Sequence, residues 1–218
     1  MKPKLLLSIA TLLIIGMTGC SKDSGSGSGG ATVNYQINTI NKTYTIPNST
    51  SSLSWLSGYA NITKIEFEAE GTASHVNFET KSPQKIDIFS TAALGSISIP
   101  AGTYTKAEFE IKFGKGSNLD AFQLTGKLDA NPIIFKVAED GEYEADAELA
   151  NVTIAPKTYS ATITFDFSKL TSGISITDLK NAIKDNTGTI IISSTTNGSL
   201  YGIMKDNLKK LVATVDFR

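Results

Sequence analysis

The side chains best able to do chemistry in this 218-residue chain are its carboxylates, a single histidine and one short aromatic segment. The densest acids are Glu139, Asp140, Glu142, Glu144, Asp146 and Glu148. The last four are spaced two apart, so on a strand their carboxylates share one face. Oxygen donors of this kind suit a hard cation such as calcium. Side chains about 7 Å apart along a flat strand do not converge on one ion, however, and the set reads as a solvated face that resists aggregation. His75 lies in Ala73-Ser74-His75-Val76 with no nucleophile-elbow motif and no second imidazole. A Ser-His-Asp arrangement and a His/Cys zinc or iron site are therefore not expected. No catalytic residue, metal site or cofactor is assigned, and the chain reads as a non-enzyme. The remaining candidates are Trp55 and Tyr59 in Leu53-Ser54-Trp55-Leu56-Ser57-Gly58-Tyr59. A ring exposed beside Ser and Gly could stack on a sugar face, while core packing is the competing reading of Trp55. The Gly114-Lys115-Gly116-Ser117-Asn118 loop reads as a plain turn.

One residue has its chemistry specified by its neighbours. Lys2 and Lys4 precede a mostly apolar run from Leu5 to Met17, and Thr18-Gly19 precede Cys20, the only cysteine. The run is too short to span a bilayer and long enough for a signal-peptide core. Met17-Thr18-Gly19-Cys20 has the form of a bacterial lipobox, in which the cysteine sulfur is lipidated and becomes the mature N-terminus. Residues 1–19 are thus expected to be removed and Cys20 to carry the lipid, anchoring the chain to the outer membrane without spanning it. The Ser/Gly stretch through Gly30 buries nothing, and its Ser24–Gly30 part has a coil reach of roughly 15 Å.

The mature chain, Cys20 to Arg218, has 18 basic and 21 acidic residues, a net charge of −3, and its one arginine is Arg218. Phosphate recognition leans on clustered Arg and Lys, so nucleic acid is not an expected partner. A chain of this length buries roughly 70% of its unfolded surface, and with no second cysteine its stability must come from packing.

From Ala31 onward the period is two. Alternating segments occur at Val33–Ile37, Tyr44–Ile46, Ile65–Glu70, Val76–Phe78, Ile86–Ile88, Ile97–Ile99, Ala107–Phe113, Ala121–Leu128, Ile133–Ala138, Glu142–Leu149 and Tyr159–Phe167, with turn residues between them. Near the C-terminus, Ser175–Lys184 has a Thr177 N-cap pattern with Leu179, Ala182 and Ile183 at helical spacing, and Ser199–Lys210 places Leu200, Ile203, Met204, Leu208 and Leu211 on one side. Thr189–Ile192 and Val212–Phe217 read as strands. The expected fold is all-β, an antiparallel β-sandwich over residues 31–218 with two short helices near the C-terminus, possible as two closely packed sub-sheets.

Several segments together resemble a known group. These are Ile97-Ser98-Ile99-Pro100-Ala101-Gly102-Thr103-Tyr104-Thr105, Leu124-Thr125-Gly126-Lys127, Asn131-Pro132-Ile133-Ile134-Phe135, Ala161-Thr162-Ile163-Thr164-Phe165-Asp166-Phe167, and Leu200-Tyr201 to Leu208. They are similar to uncharacterised lipoproteins of Bacteroidota that resemble domain-of-unknown-function proteins with a prealbumin-like β-sandwich. The resemblance implies a cell-envelope protein and transfers no catalytic residue. Ser21-Lys22-Asp23 after the cysteine partly matches the Lys/acid signal of surface-displayed lipoproteins in that group. The expected function is a non-enzymatic sandwich, facing the periplasm or the cell surface, that binds a glycan or a protein. The alternative is a pilus-associated or surface structural subunit that exchanges a terminal strand.

Overall fold

The computed structural model describes residues 30–71, 75–80, 84–139 and 142–218. Cys20, the tether before Gly30 and Asp140 lie outside the described residues. In chain order the strands are β1 (Ala31–Ile40), β2 (Thr43–Thr45), β3 (Ser52–Gly71), β4 (His75–Thr80), β5 (Gln84–Asp87), β6 (Ala92–Ile99), β7 (Gly102–Gly114), β8 (Phe122–Leu128), β9 (Asn131–Val137), β10 (Glu142–Ile154), β11 (Thr158–Asp166), β12 (Ile190–Ile192) and β13 (Val212–Phe217). Between β11 and β12 lie a 3-10 turn, Phe167–Thr171, and helix α1 (Ile176–Lys180); helix α2 (Gly198–Asn207) precedes β13. The fold is all-β and sandwich-like, built from two sheets around one continuous apolar core.

The four-stranded sheet runs β13-β11-β1-β6. In β1, Val33, Tyr35 and Ile37 point into the core while the residues between them face outward, which is what the period-two pattern dictates. Its partner on one side, β6, is antiparallel, but β11 on the other side is parallel over nine residue pairs, from Thr32 opposite Thr158 to Ile40 opposite Asp166. A second parallel pair joins β12 to β9. The sandwich is therefore mixed, not wholly antiparallel: alternation reports which face is buried and is the same for either strand direction.

The second sheet is organised on β3, a strand of 20 residues. Along one edge it pairs with β8 and then β7; along the other it pairs with β2, β5 and β4. Two bulges, between Trp55 and Ser57 and between Ile62 and Lys64, insert extra residues. Each insertion flips the inward parity, so the buried set runs Leu53, Trp55, then Ala60, Ile62, then Ile65, Phe67, Ala69. Close approach at the first bulge requires glycine: a Cβ on Gly126 would lie 2.2 Å from the Ser54 carbonyl oxygen.

The helical part departs from the sequence pattern in three details. Helix α1 ends at Lys180, not Lys184, and Ile183 is exposed, its backbone amide and carbonyl both taken by the Asn197 side chain. The α1 N-cap is Ser175, not Thr177: its Oγ accepts from the Asp178 amide at 3.1 Å and donates to the Asp178 carboxylate at 2.7 Å. In α2, Tyr201 is buried with Leu200 and Met204, whereas Ile203 is exposed, because the buried arc is rotated by one position.

Candidate functional site

Trp55 is not a binding platform. Its side chain is 2% exposed, fully inside the core, because the bulge after it turns Leu56 and Ser57 outward and leaves the indole facing in. Tyr59, on the other side of that bulge, lies on the outer face of β3 between Asp87 and Gln123. The Lys85 ammonium sits 4.1 Å from its ring centroid. Burial, and after it the charge of Asp120, raise the Tyr59 phenol above its ordinary range. With Ser57, Lys85, Asp87, Gln123 and Thr125 it lines an open depression of ≈ 450 Å³. The structure thus separates the two aromatic candidates.

Of the candidate acids on β10, Glu144, Asp146 and Glu148 are exposed and take up the solvated arrangement. Glu66, Glu110 and Asp146 stand opposite one another across β3, β7 and β10, as do Glu68, Glu108 and Glu148. Lysines relieve the repulsion: Lys64 contacts Glu66 at 2.6 Å and Glu79 at 3.1 Å, Lys112 contacts Glu110 at 2.8 Å, and Lys106 contacts Glu108 at 2.8 Å and Glu148 at 3.3 Å. The Lys64 hydrogen bond in particular holds Glu66 below the usual carboxylate range. His75 is exposed on β4 with Nε2 3.4 Å from Glu68. Among the described residues, no three His, Cys, Asp or Glu side chains come together as a metal site. The Gly114–Asn118 loop is a turn closed by the Gly116 amide on the Leu119 carbonyl at 2.9 Å and held by the buried Asn61, whose Nδ2 donates to the Gly114 carbonyl at 2.6 Å.

A second concavity, larger than the depression beside Tyr59, lies where β1 and β11 end together. It is a cleft of ≈ 700 Å³ between the β1–β2 segment and the Phe167–Ile176 stretch. Two of its lining residues, Asn41 and Ser168, are held from beneath by Asp166, which does not itself line the cleft. Asp166 is only 8% exposed; one carboxylate oxygen accepts from the Asn41 amide at 2.9 Å and from the Ser168 amide and hydroxyl at 3.0 and 2.6 Å. Burial opposes ionisation of Asp166, yet the Ser168 hydroxyl and Asn41 outweigh it, and the carboxyl is held below the ordinary aspartate range. The Tyr44 hydroxyl pairs with Thr171 Oγ1 at 2.8 Å. Burial pushes the Tyr44 phenol up to about 12 against the pull of Thr171, so it stays a neutral donor and acceptor. The walls are Thr45, Asn48, Ser172 and Ser175 with apolar Pro47, Ile174 and Ile176, and Lys169 is the cation among the lining side chains.

The sequence pattern puts Tyr44 and Asp166 each within an alternating segment and nothing in it joins them. Asp166-Phe167-Ser168 carries a local signal, an acid capping the turn that follows it. Its union with Asn41, 125 positions away, carries none. Comparison with family models, curated proteins and solved structures finds no match.

Proposed function

We propose that the protein is a membrane-anchored lipoprotein whose β-sandwich binds a neutral, hydroxyl-rich ligand, a glycan segment, in the cleft beside Tyr44. The observation that carries this reading is the lining: closely set hydroxyls and amides around one aromatic side chain, with Asn41 and Ser168 held from beneath by the buried Asp166. Such a surface offers paired donors and acceptors plus an apolar face, the combination that recognises sugars. It offers no free carboxylate pair for glycoside hydrolysis, which supports a binding role over a catalytic one. The Cys20 lipobox, the Ser/Gly tether and the resemblance to lipoproteins of Bacteroidota support placement at the outer membrane.

A glycan array probed with soluble residues 31–218, followed by titration calorimetry, tests the reading. The expected result is saccharide binding that falls at least about tenfold in Tyr44→Ala. Absence of any bound saccharide, or binding unchanged in Tyr44→Ala, overturns it.

A further inference from the structure

We infer that the sandwich stands on the membrane by the end at which β1 begins, so that the cleft takes its ligand from the aqueous side, away from the lipid headgroups. This rests on the lipid-anchor reading of Cys20. The tether joins the described fold at Gly30, directly before β1. At that end Ala31 stands opposite Ile99, the Thr32 amide donates to the Lys157 carbonyl at 3.2 Å, and Ser160 and Arg218 exchange backbone hydrogen bonds of 2.8 and 3.0 Å. The Pro100–Gly102 turn, the Ala155–Lys157 connection and the C-terminus therefore gather where the tether enters.

The parallel pairing of β1 with β11 carries both strands to the other end together. Ile40 finishes opposite Asp166, and Asn41, Tyr44 and Ser168 follow immediately as parts of the cleft. At about 3.3 Å per residue, a ten-residue strand sets the two ends about 30 Å apart. The tether has an r.m.s. span of roughly 15–20 Å from Cys20. The point of entry is thus held near the bilayer while the cleft averages well above it. Antiparallel pairing of the same strands would have returned β11 to the tether end and taken Asp166 and Ser168 with it.

The single native cysteine makes the test direct, because its sulfur is consumed by the lipid and one introduced cysteine is then the sole free thiol. Full-length lipidated Pro156→Cys, at the tether end, and Ser172→Cys, on the cleft rim, are labelled with a donor dye and placed in vesicles whose headgroups carry an acceptor. Thr158→Cys and Lys169→Cys repeat the comparison, so that it does not hang on one variant folding. The expected result is energy transfer at least about twofold greater from Pro156 than from Ser172, as the roughly 30 Å height difference requires. Equal transfer, or the reverse, overturns the orientation while leaving the anchor intact. Recovery of the chain in the aqueous phase with an unmodified Cys20 mass overturns the anchor reading and the orientation with it. Neither measurement involves a saccharide, so failure of glycan binding is read separately.

Discussion

Asp166 shows how much one buried carboxylate can hold. It is the shared acceptor for Asn41 and Ser168, and it fixes the angle at which the Phe167–Thr171 turn leaves β11. Because its folded pKa lies below the unfolded value, its contribution to stability is present above about pH 4 and fades as the pH falls through the folded pKa. Asp166→Asn is therefore expected to lower stability by about 1–3 kcal/mol at pH 7, the cost of weakening charge-assisted hydrogen bonds to a buried group. The gap from wild type should narrow as the pH falls below about 4, and urea denaturation across that range measures it. At Trp55 the expectation is one of packing. Its fluorescence should be blue-shifted and resist acrylamide quenching whether or not a saccharide is present, and Trp55→Ala should cost about 3–5 kcal/mol.

At the scale of elements, most strands were legible because one wet face and one dry face leave alternation in the sequence, as in Ala107, Phe109, Ile111 and Phe113 of β7. β3 was legible only in its last third. Its two bulges change the parity of burial, so the run from Leu53 to Ile62 breaks the pattern although it is one continuous strand. Strand direction left no trace either, which is why the parallel β1–β11 pair was unforeseen. The Pro100–Tyr104 turn was readable, but its fastening was not: the buried Tyr104 donates its hydroxyl to the Pro100 carbonyl at 2.7 Å. Tyr104→Phe should cost about 0.5–1.5 kcal/mol in thermal melts, since one hydrogen bond is lost and the ring stays packed. Gly126→Ala should cost more, about 1–3 kcal/mol, because the new methyl meets the Ser54 carbonyl at the β3 bulge. The cleft was illegible for the same reason as the β1–β11 pair: its residues come from segments that only strand pairing brings together.

The whole molecule bears on the structural-subunit alternative. A subunit that polymerises by exchanging its N-terminal strand needs that strand at an edge or in a groove it can vacate. Here β1 is paired on both sides, to β11 and to β6, and buries Val33, Tyr35 and Ile37. Deleting residues 31–40 should abolish cooperative unfolding in circular dichroism, and an added peptide of the β1 sequence should not enter the native protein. The C-terminal β13, by contrast, lies at the edge of its sheet, so exchange of that strand stays open to the same test: size-exclusion chromatography showing uptake of a β13 peptide, or chain-length growth, would favour the alternative.

The partnership of β1 with β11 also sets the timing of folding. Gln36 and Thr162, joined side chain to side chain at 2.8 Å, are 126 positions apart. Under the proposed export, the first strand to emerge on the far side of a membrane has no β11 to pair with until most of the chain has followed. Loops this long must close before the central sheet yields any return, which places folding on the order of milliseconds to seconds. An exported chain with this pairing would stay threadable throughout its passage and acquire its shape only after the crossing was nearly complete.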